Sequence, residues 1–223
     1  MKRTYLPLLA AAALLLAGCE DFLKETPTGS LTTSSNVSSR EIARAFANAA
    51  YADIGTFNNG SGGWGGNNAS LLEFLTGKAD GNSQSEAFKF YNLEYDARAF
   101  YIDSWWAGMY GGIAKCNLAL QKIGEINTLT AAEKTNMLAE VRFMRALYYF
   151  QLARMYGDVP KLKTLVTELS EVQTARSPVK EIYDELIIPD LLEAEKSTLP
   201  WRDTGGKVSM GAVKSLLADV YLT

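Results

Sequence analysis

The sequence predicts a mostly α-helical chain of paired helices interrupted by irregular loops, and three observations carry that prediction. Apolar residues recur at steps of three or four through most of the chain, the spacing that lines one face of a 3.6-residue helix. Helix entry and exit chemistry brackets these runs: Ser38 stands three residues before Glu41, Thr130 three before Glu133, and Gly157 with Pro160 closes the run between them. The helix pairs fall at spacings of roughly 30–40 residues, the scale of tetratricopeptide-type repeats, although the strict repeat consensus is absent. Such units stack because none buries its apolar faces alone.

The amino terminus is not part of that scaffold. Lys2 and Arg3 precede an apolar stretch of 13 residues, Tyr5 to Ala17, too short for the ~20 helical residues that cross a bilayer. It reads as a signal peptide, residues 1–18. It ends in Leu16-Ala17-Gly18-Cys19, which resembles a bacterial lipobox, so Cys19 is the expected lipidation site. Several acyl chains at about 0.8 kcal/mol per buried methylene anchor a protein without a spanning helix. Residues 19–37, rich in Thr and Ser, read as a tether, and residues 38–223 as an incomplete helical domain.

Within that domain, Ser38 and Glu41 open a helix with Ile42, Phe46, Ala49, Ala50 and Ile54 as its stripe, ending at Gly55. Residues 58–70 then place five glycines and four asparagines around Trp64, which excludes regular structure. An aromatic face stacks on the apolar face of a sugar ring, and Asn side chains both donate to and accept from hydroxyls. Trp64, Asn67 and Asn68 are therefore the candidate ligand-binding residues; the alternative is a surface loop whose tryptophan tucks into a groove. Asp80, Asn82, Gln84 and Glu86 alternate faintly like a calcium loop. They lack the glycine and terminal glutamate of an EF-hand, so a solvated loop is the better reading and no metal site is assigned. Phe88 to Leu93 reads as a short strand or an extended connection.

A long helix follows from about Phe100 to Ile123, with Trp105, Trp106, Met109, Ile113, Cys116 and Leu120 as core and Asn117 as a satisfied buried amide. Gly108, Gly111 and Gly112 weaken it by about 1 kcal/mol each relative to Ala, tolerated because they admit a close neighbour. The helix after Thr130 has two apolar rows. One is Met137, Val141, Met144, Tyr148, Leu152 and Met155; beside it lies a row of Phe143, Leu147, Phe150 and Arg154. Two rows imply packing on two sides, with Arg142, Arg145 and Tyr149 as structural polar contacts. Ser177-Pro178 then starts a helix facing inward through Val179, Ile182, Leu186 and Ile187, which Pro189 must kink or divide. Leu199-Pro200-Trp201 closes that unit, Gly205-Gly206 makes a turn, and the last helix carries Val213, Leu216, Leu217, Val220 and Tyr221. It reaches Thr223 without a cap or partner, so the scaffold is expected to be truncated at the carboxyl end.

Composition excludes several functions. Net charge is −3, and −5 once the signal peptide is removed, a poor match for nucleic acid, whose binding rests on phosphate neutralisation. Histidine is absent, which excludes His-based triads and His-containing zinc sites. Cys116 reads as a small buried hydrophobe. No catalytic residue and no cofactor is assigned.

Several runs, in order, carry a resemblance. They are the lipobox, Asp21-Phe22-Leu23 with Pro27, and the series Trp106, Tyr110, Ile113 and Asn117. The AEVRFMRALYYFQLARMYGDVP segment from Ala139 follows, then SPVKEIY from Ser177, Asp190-Leu191 with Ala194, and GAVKSLLADVYL from Gly211. Together they resemble the SusD/RagB family of Bacteroidetes nutrient-uptake proteins. The resemblance implies a tetratricopeptide-like scaffold on an outer-membrane lipoprotein facing the cell exterior; Glu20 and Asp21 are similar to the surface-export signal of such proteins. It also implies a non-enzymatic role: capturing oligosaccharide, or in some members peptide, and delivering it to a SusC-like TonB-dependent transporter. Family members continue for a comparable length again. The alternatives are a surface glycoside hydrolase, which needs two carboxylates across the glycosidic bond, and a non-catalytic helical-repeat adaptor.

Overall fold

The structure, a computed structural model, describes residues 40–57, 73–78, 86–168, 171 and 173–223. Seven α-helical segments are described: α1 (Arg40–Ala49), α2 (Glu86–Tyr91), α3 (Phe100–Glu125), α4 (Ala131–Tyr156), α5 (Val179–Ile182), α6 (Ile188–Glu195) and α7 (Met210–Leu222). A 3-10 turn, Ala52–Phe57, follows α1. Two-residue strands β1 (Val159–Pro160) and β2 (Arg176–Ser177) pair antiparallel, Val159 with Ser177 and Pro160 with Arg176. The mostly helical fold is the one the periodicity predicts.

α3 and α4 are the central pair, 26 residues each, or about 39 Å at 1.5 Å per residue. Contacts along their length give an antiparallel register. Lys134 Nζ donates to the carbonyls of Gly124 and Ile126, capping the end of α3 with a cation. Arg145 meets Asn117 in the middle, and the Tyr156 hydroxyl donates to the Ile102 carbonyl at the far end. The Thr130–Glu133 capping box forms at the start of α4. Gly157 ends α4 at φ 71°, ψ −125°, a backbone geometry that an L side chain resists.

The close approach expected of the glycines in α3 is real at Gly112: a Cβ there would sit 2.6 Å from the Tyr148 ring. α4 is buried on two sides. α1 and α3 cover one side and α6 the other, and its buried residues include Val141, Met144, Tyr148, Tyr149, Phe150 and Leu152. Cys116 and Trp105 are core residues, as expected, and Trp106 is half-buried between Tyr110 and Tyr156.

Five local expectations change. The first helix ends at Ala49, and its buried stripe is Ala43, Phe46, Ala47 and Ala50, while Ile54 is exposed; alanines face inward because α3 and α4 pass close by. Phe88 to Tyr91 belong to the short helix α2, whose Phe90 is buried and stacked on Tyr95 at 4.5 Å. Ser177 is not a helix cap: it pairs in β2, and the Asp158 carboxylate accepts from Val179 N at 2.8 Å instead. Pro189 does not kink a helix unaided. The chain widens into a π-helical turn, Tyr183–Ile187, between α5 and α6, which accommodates the amide proline lacks. Trp201 and Tyr221 are exposed rather than buried.

Candidate functional site

The residues proposed from sequence, Cys19, Trp64, Asn67 and Asn68, lie outside the described residues, as do Asp80, Asn82 and Gln84. The structure therefore bears on what holds the candidate loop, and on which other groups the scaffold leaves free. The chain leading into residues 58–70 is firmly fixed. Tyr148 donates from α4 to the Ala50 carbonyl at 2.8 Å, and Lys115 of α3 donates to Asp53 at 2.6 Å. Gly111 leaves room for that carboxylate, 3.6 Å from where its Cβ would be. Beyond the loop, Phe74 packs on a small satellite core of Phe90 and Ala99, with Tyr101 and Ile102. Leu93 in the following turn has φ 59° and is exposed, as are Tyr91 and Tyr95.

Buried polar groups elsewhere on the scaffold are accounted for. Arg145 binds both oxygens of Asp190, Nε to Oδ2 at 2.7 Å and Nη2 to Oδ1 at 2.8 Å. Its Nη1 donates to Asn117 Oδ1 at 2.7 Å and the Lys163 carbonyl at 2.9 Å. Asn117 Nδ2 donates to the carbonyls of Leu162 and Thr164. The Tyr149 hydroxyl accepts from Leu162 N at 2.7 Å, and the Tyr110 hydroxyl donates to the Pro160 carbonyl at 2.8 Å. Side chains from α3 and α4 thus supply the backbone of 160–164 with the partners a sheet would otherwise give. Asn117, Arg145 and Tyr149 are structural, as the sequence suggests, but their shared target, the segment after Pro160, is a tertiary fact.

A second centre ties α1 to α4 and to the chain before α7. Arg44 Nη1 donates to both oxygens of Glu140, at 2.9 and 2.8 Å, and the Tyr51 hydroxyl donates to Oε2 at 2.9 Å while accepting from Val208 N at 3.1 Å.

Neither centre is arranged for acid–base chemistry. The shifted ionisations all move away from neutrality. Burial pushes the Cys116 thiol and the phenols of Tyr51, Tyr110 and Tyr148 up, and raises Tyr149 and Tyr156 to about 12. Hydrogen bonds from Lys163 and Lys161 pull exposed Glu185 down to about 2. A general acid or base works best with a pKa near the operating pH, and none of these shifts moves a group there. Among the described residues no group of three or more His, Cys, Asp or Glu side chains could hold a metal, and no helix is long and apolar enough to cross a membrane. The exposed aromatics Tyr91, Tyr95 and Trp201 are what sequence reading missed. Periodicity assigns apolar residues inward, and only the packed structure shows which of them find no room.

Residues 21–222 match the model of the SusD-like family described as "starch-binding associating with outer membrane". The fold is similar to that of a SusD superfamily protein from Parabacteroides distasonis, at 55% identity and a TM-score of 0.79, covering 84% of this chain and 40% of that one. It is also similar to a laminarin binding SusD-like protein, at 28% identity and a TM-score of 0.72, covering 83% of this chain and 40% of that one. SusD-like protein P2 of Formosa agariphila is 29% identical over 228 residues, covering all of this chain and 43% of the relative. The chain spans about two fifths of the length of the relatives it matches.

Proposed function

Because the chain belongs to the SusD-like family, we propose that it is part of a cell-surface lipoprotein that captures oligosaccharide and delivers it to a SusC-like TonB-dependent outer-membrane transporter. The observation that carries the reading is the family match over residues 21–222, together with a laminarin binding structural relative at 28% identity. In this reading residues 1–18 are the signal peptide, Cys19 bears the lipid, residues 19–37 are the tether and residues 38–223 the helical domain. Trp64 stacks on a sugar ring, and Asn67 and Asn68 bond its hydroxyls.

The scaffold geometry supports a binding role over a hydrolytic one. A glycosidase needs two carboxylates facing each other across a substrate. The buried carboxylates Glu140 and Asp190 are each neutralised by an arginine and serve the packing of helices. What the scaffold offers is rigidity on the entry side of a candidate loop, fixed by Tyr148 and Lys115. Preorganised loops bind well because less freedom is lost on binding.

The test is electrophoresis of the whole protein through gels containing laminarin, soluble starch or other surface polysaccharides, with a reducing-end assay run in parallel. Retardation by at least one polysaccharide without new reducing ends is the expected result. Released reducing ends would replace binding with hydrolysis, and free migration through every gel would leave the helical-repeat adaptor.

A further inference from the structure

Trp201 is 61% exposed, whereas Trp105 is 3% exposed and Trp106 is half-buried. An exposed indole is ordinary on a mobile segment, but Trp201 sits on a fixed one. The loop starts and ends in the core at Leu199 and Val208. The Pro200 carbonyl accepts from Met210 N at 2.8 Å and the Trp201 carbonyl from Gly211 N at 3.1 Å. Gly211 makes that approach possible, since a Cβ there would lie 2.8 Å from the Trp201 carbonyl oxygen and 4.0 Å from its ring. On the return side, Asp203 Oδ1 accepts from Gly205 N at 2.7 Å and Lys207 N at 2.9 Å, and Val208 N is held by the Tyr51 hydroxyl.

We propose that Trp201, with the Arg202 guanidinium beside it in sequence, is a stacking platform for a pyranose ring of a polysaccharide, a site additional to residues 58–70. The inference rests on the glycan-binding reading above. The surroundings decide for a sugar over a protein. A stable protein interface buries about 800 Å² per partner around an apolar centre. The seven exposed neighbours of Trp201 in its loop, Pro200 and residues 202–207, contain no second large apolar side chain. A sugar ring needs only one flat apolar face of its own size, with polar donors and acceptors at the rim. Arg202 is exposed and engages no carboxylate or carbonyl within the described residues, so its five N–H donors are available to ring hydroxyls. The fixed backbone means that little order has to be gained when a ligand arrives.

The test uses the whole protein labelled with 5-fluorotryptophan, the Trp201 resonance being the one missing from Trp201→Phe. Laminarin and soluble starch are the probes. The Trp201 signal should shift or broaden with a polysaccharide that retards the protein in gels, and Trp201→Ala should weaken that retardation by about fivefold or more at unchanged melting temperature. Retardation of the wild type with a silent Trp201 signal would overturn the platform and leave glycan capture standing. No retardation by any polysaccharide would remove both. A Trp201 signal that moves with protein concentration instead of with sugar would make the surface a self-association contact and overturn the platform too.

Discussion

Replacing Asp190 by alanine should be the most damaging single change to the scaffold. The Arg145 side chain is 11% exposed and that of Asp190 7%, so the pair lies where a lone charge is poorly solvated. After Asp190→Ala the guanidinium keeps Asn117 Oδ1 and the Lys163 carbonyl but has no counter-charge. Removing one partner of a buried pair costs about 3–5 kcal/mol. At roughly 2–4 °C per kcal/mol for a domain of this size, the melting temperature should fall by about 6–20 °C. The double variant Arg145→Met with Asp190→Leu carries no uncompensated charge. It should recover part of the loss, though Asn117 Oδ1 and the Lys163 carbonyl then lack a donor, at about 1–3 kcal/mol each. Urea unfolding followed by circular dichroism measures both variants. A loss below about 1 kcal/mol for Asp190→Ala at unchanged m-value would refute the account of this centre.

Gly112→Ala should destabilise. Helix propensity alone predicts a gain of about 1 kcal/mol, but the new methyl meets the buried Tyr148 ring at 2.6 Å, and overpacking of this kind costs about 1–3 kcal/mol. Tyr148→Phe keeps the ring and should not rescue it, so stability at or above wild type for Gly112→Ala would refute the close approach. Glu185 has its folded pKa depressed to about 2 from 4.5. Its contribution is thus present above pH 4.5 and lost as the pH falls through about 2. Glu185→Gln should flatten that part of the acid limb in pH-dependent unfolding, and 1 M salt should mimic the variant; an unchanged limb counts against the Lys161–Lys163–Glu185 cluster. Cys19→Ala should move the whole protein from the membrane fraction to the soluble one, and its continued sedimentation with membranes would remove the lipid anchor.

How much of this was legible in the sequence follows from the range of the interactions. The Thr130–Glu133 box and the exit at Gly157 involve neighbours within one turn, so residue identity alone reveals them. The two-sided burial of α4 follows from its two apolar rows. Asn117 reads correctly as a buried amide, but its partners Arg145 and Leu162 are 28 and 45 residues away, and no local pattern selects them. The α1 stripe is misphased because large residues dominate a periodicity reading, whereas a tightly crossed helix buries its alanines. Pro189 announces a break without saying that a π turn will absorb it. The candidate site was legible only as chemistry: a tryptophan among glycines and asparagines names what residues 58–70 can touch, while Lys115, Gly111 and Tyr148, which hold their entry, come from distant helices.

Glycan capture by the loop around Trp64 is the central claim, and isothermal titration of the whole protein with a polysaccharide that retards it in gels tests that claim most directly. Loss of one stacked ring costs ~1–3 kcal/mol by analogy with base stacking on aromatic side chains, so Trp64→Ala should raise the Kd by roughly 5- to 140-fold while the melting temperature stays within about a degree of wild type. Equal Kd values for Trp64→Ala and wild type would contradict it.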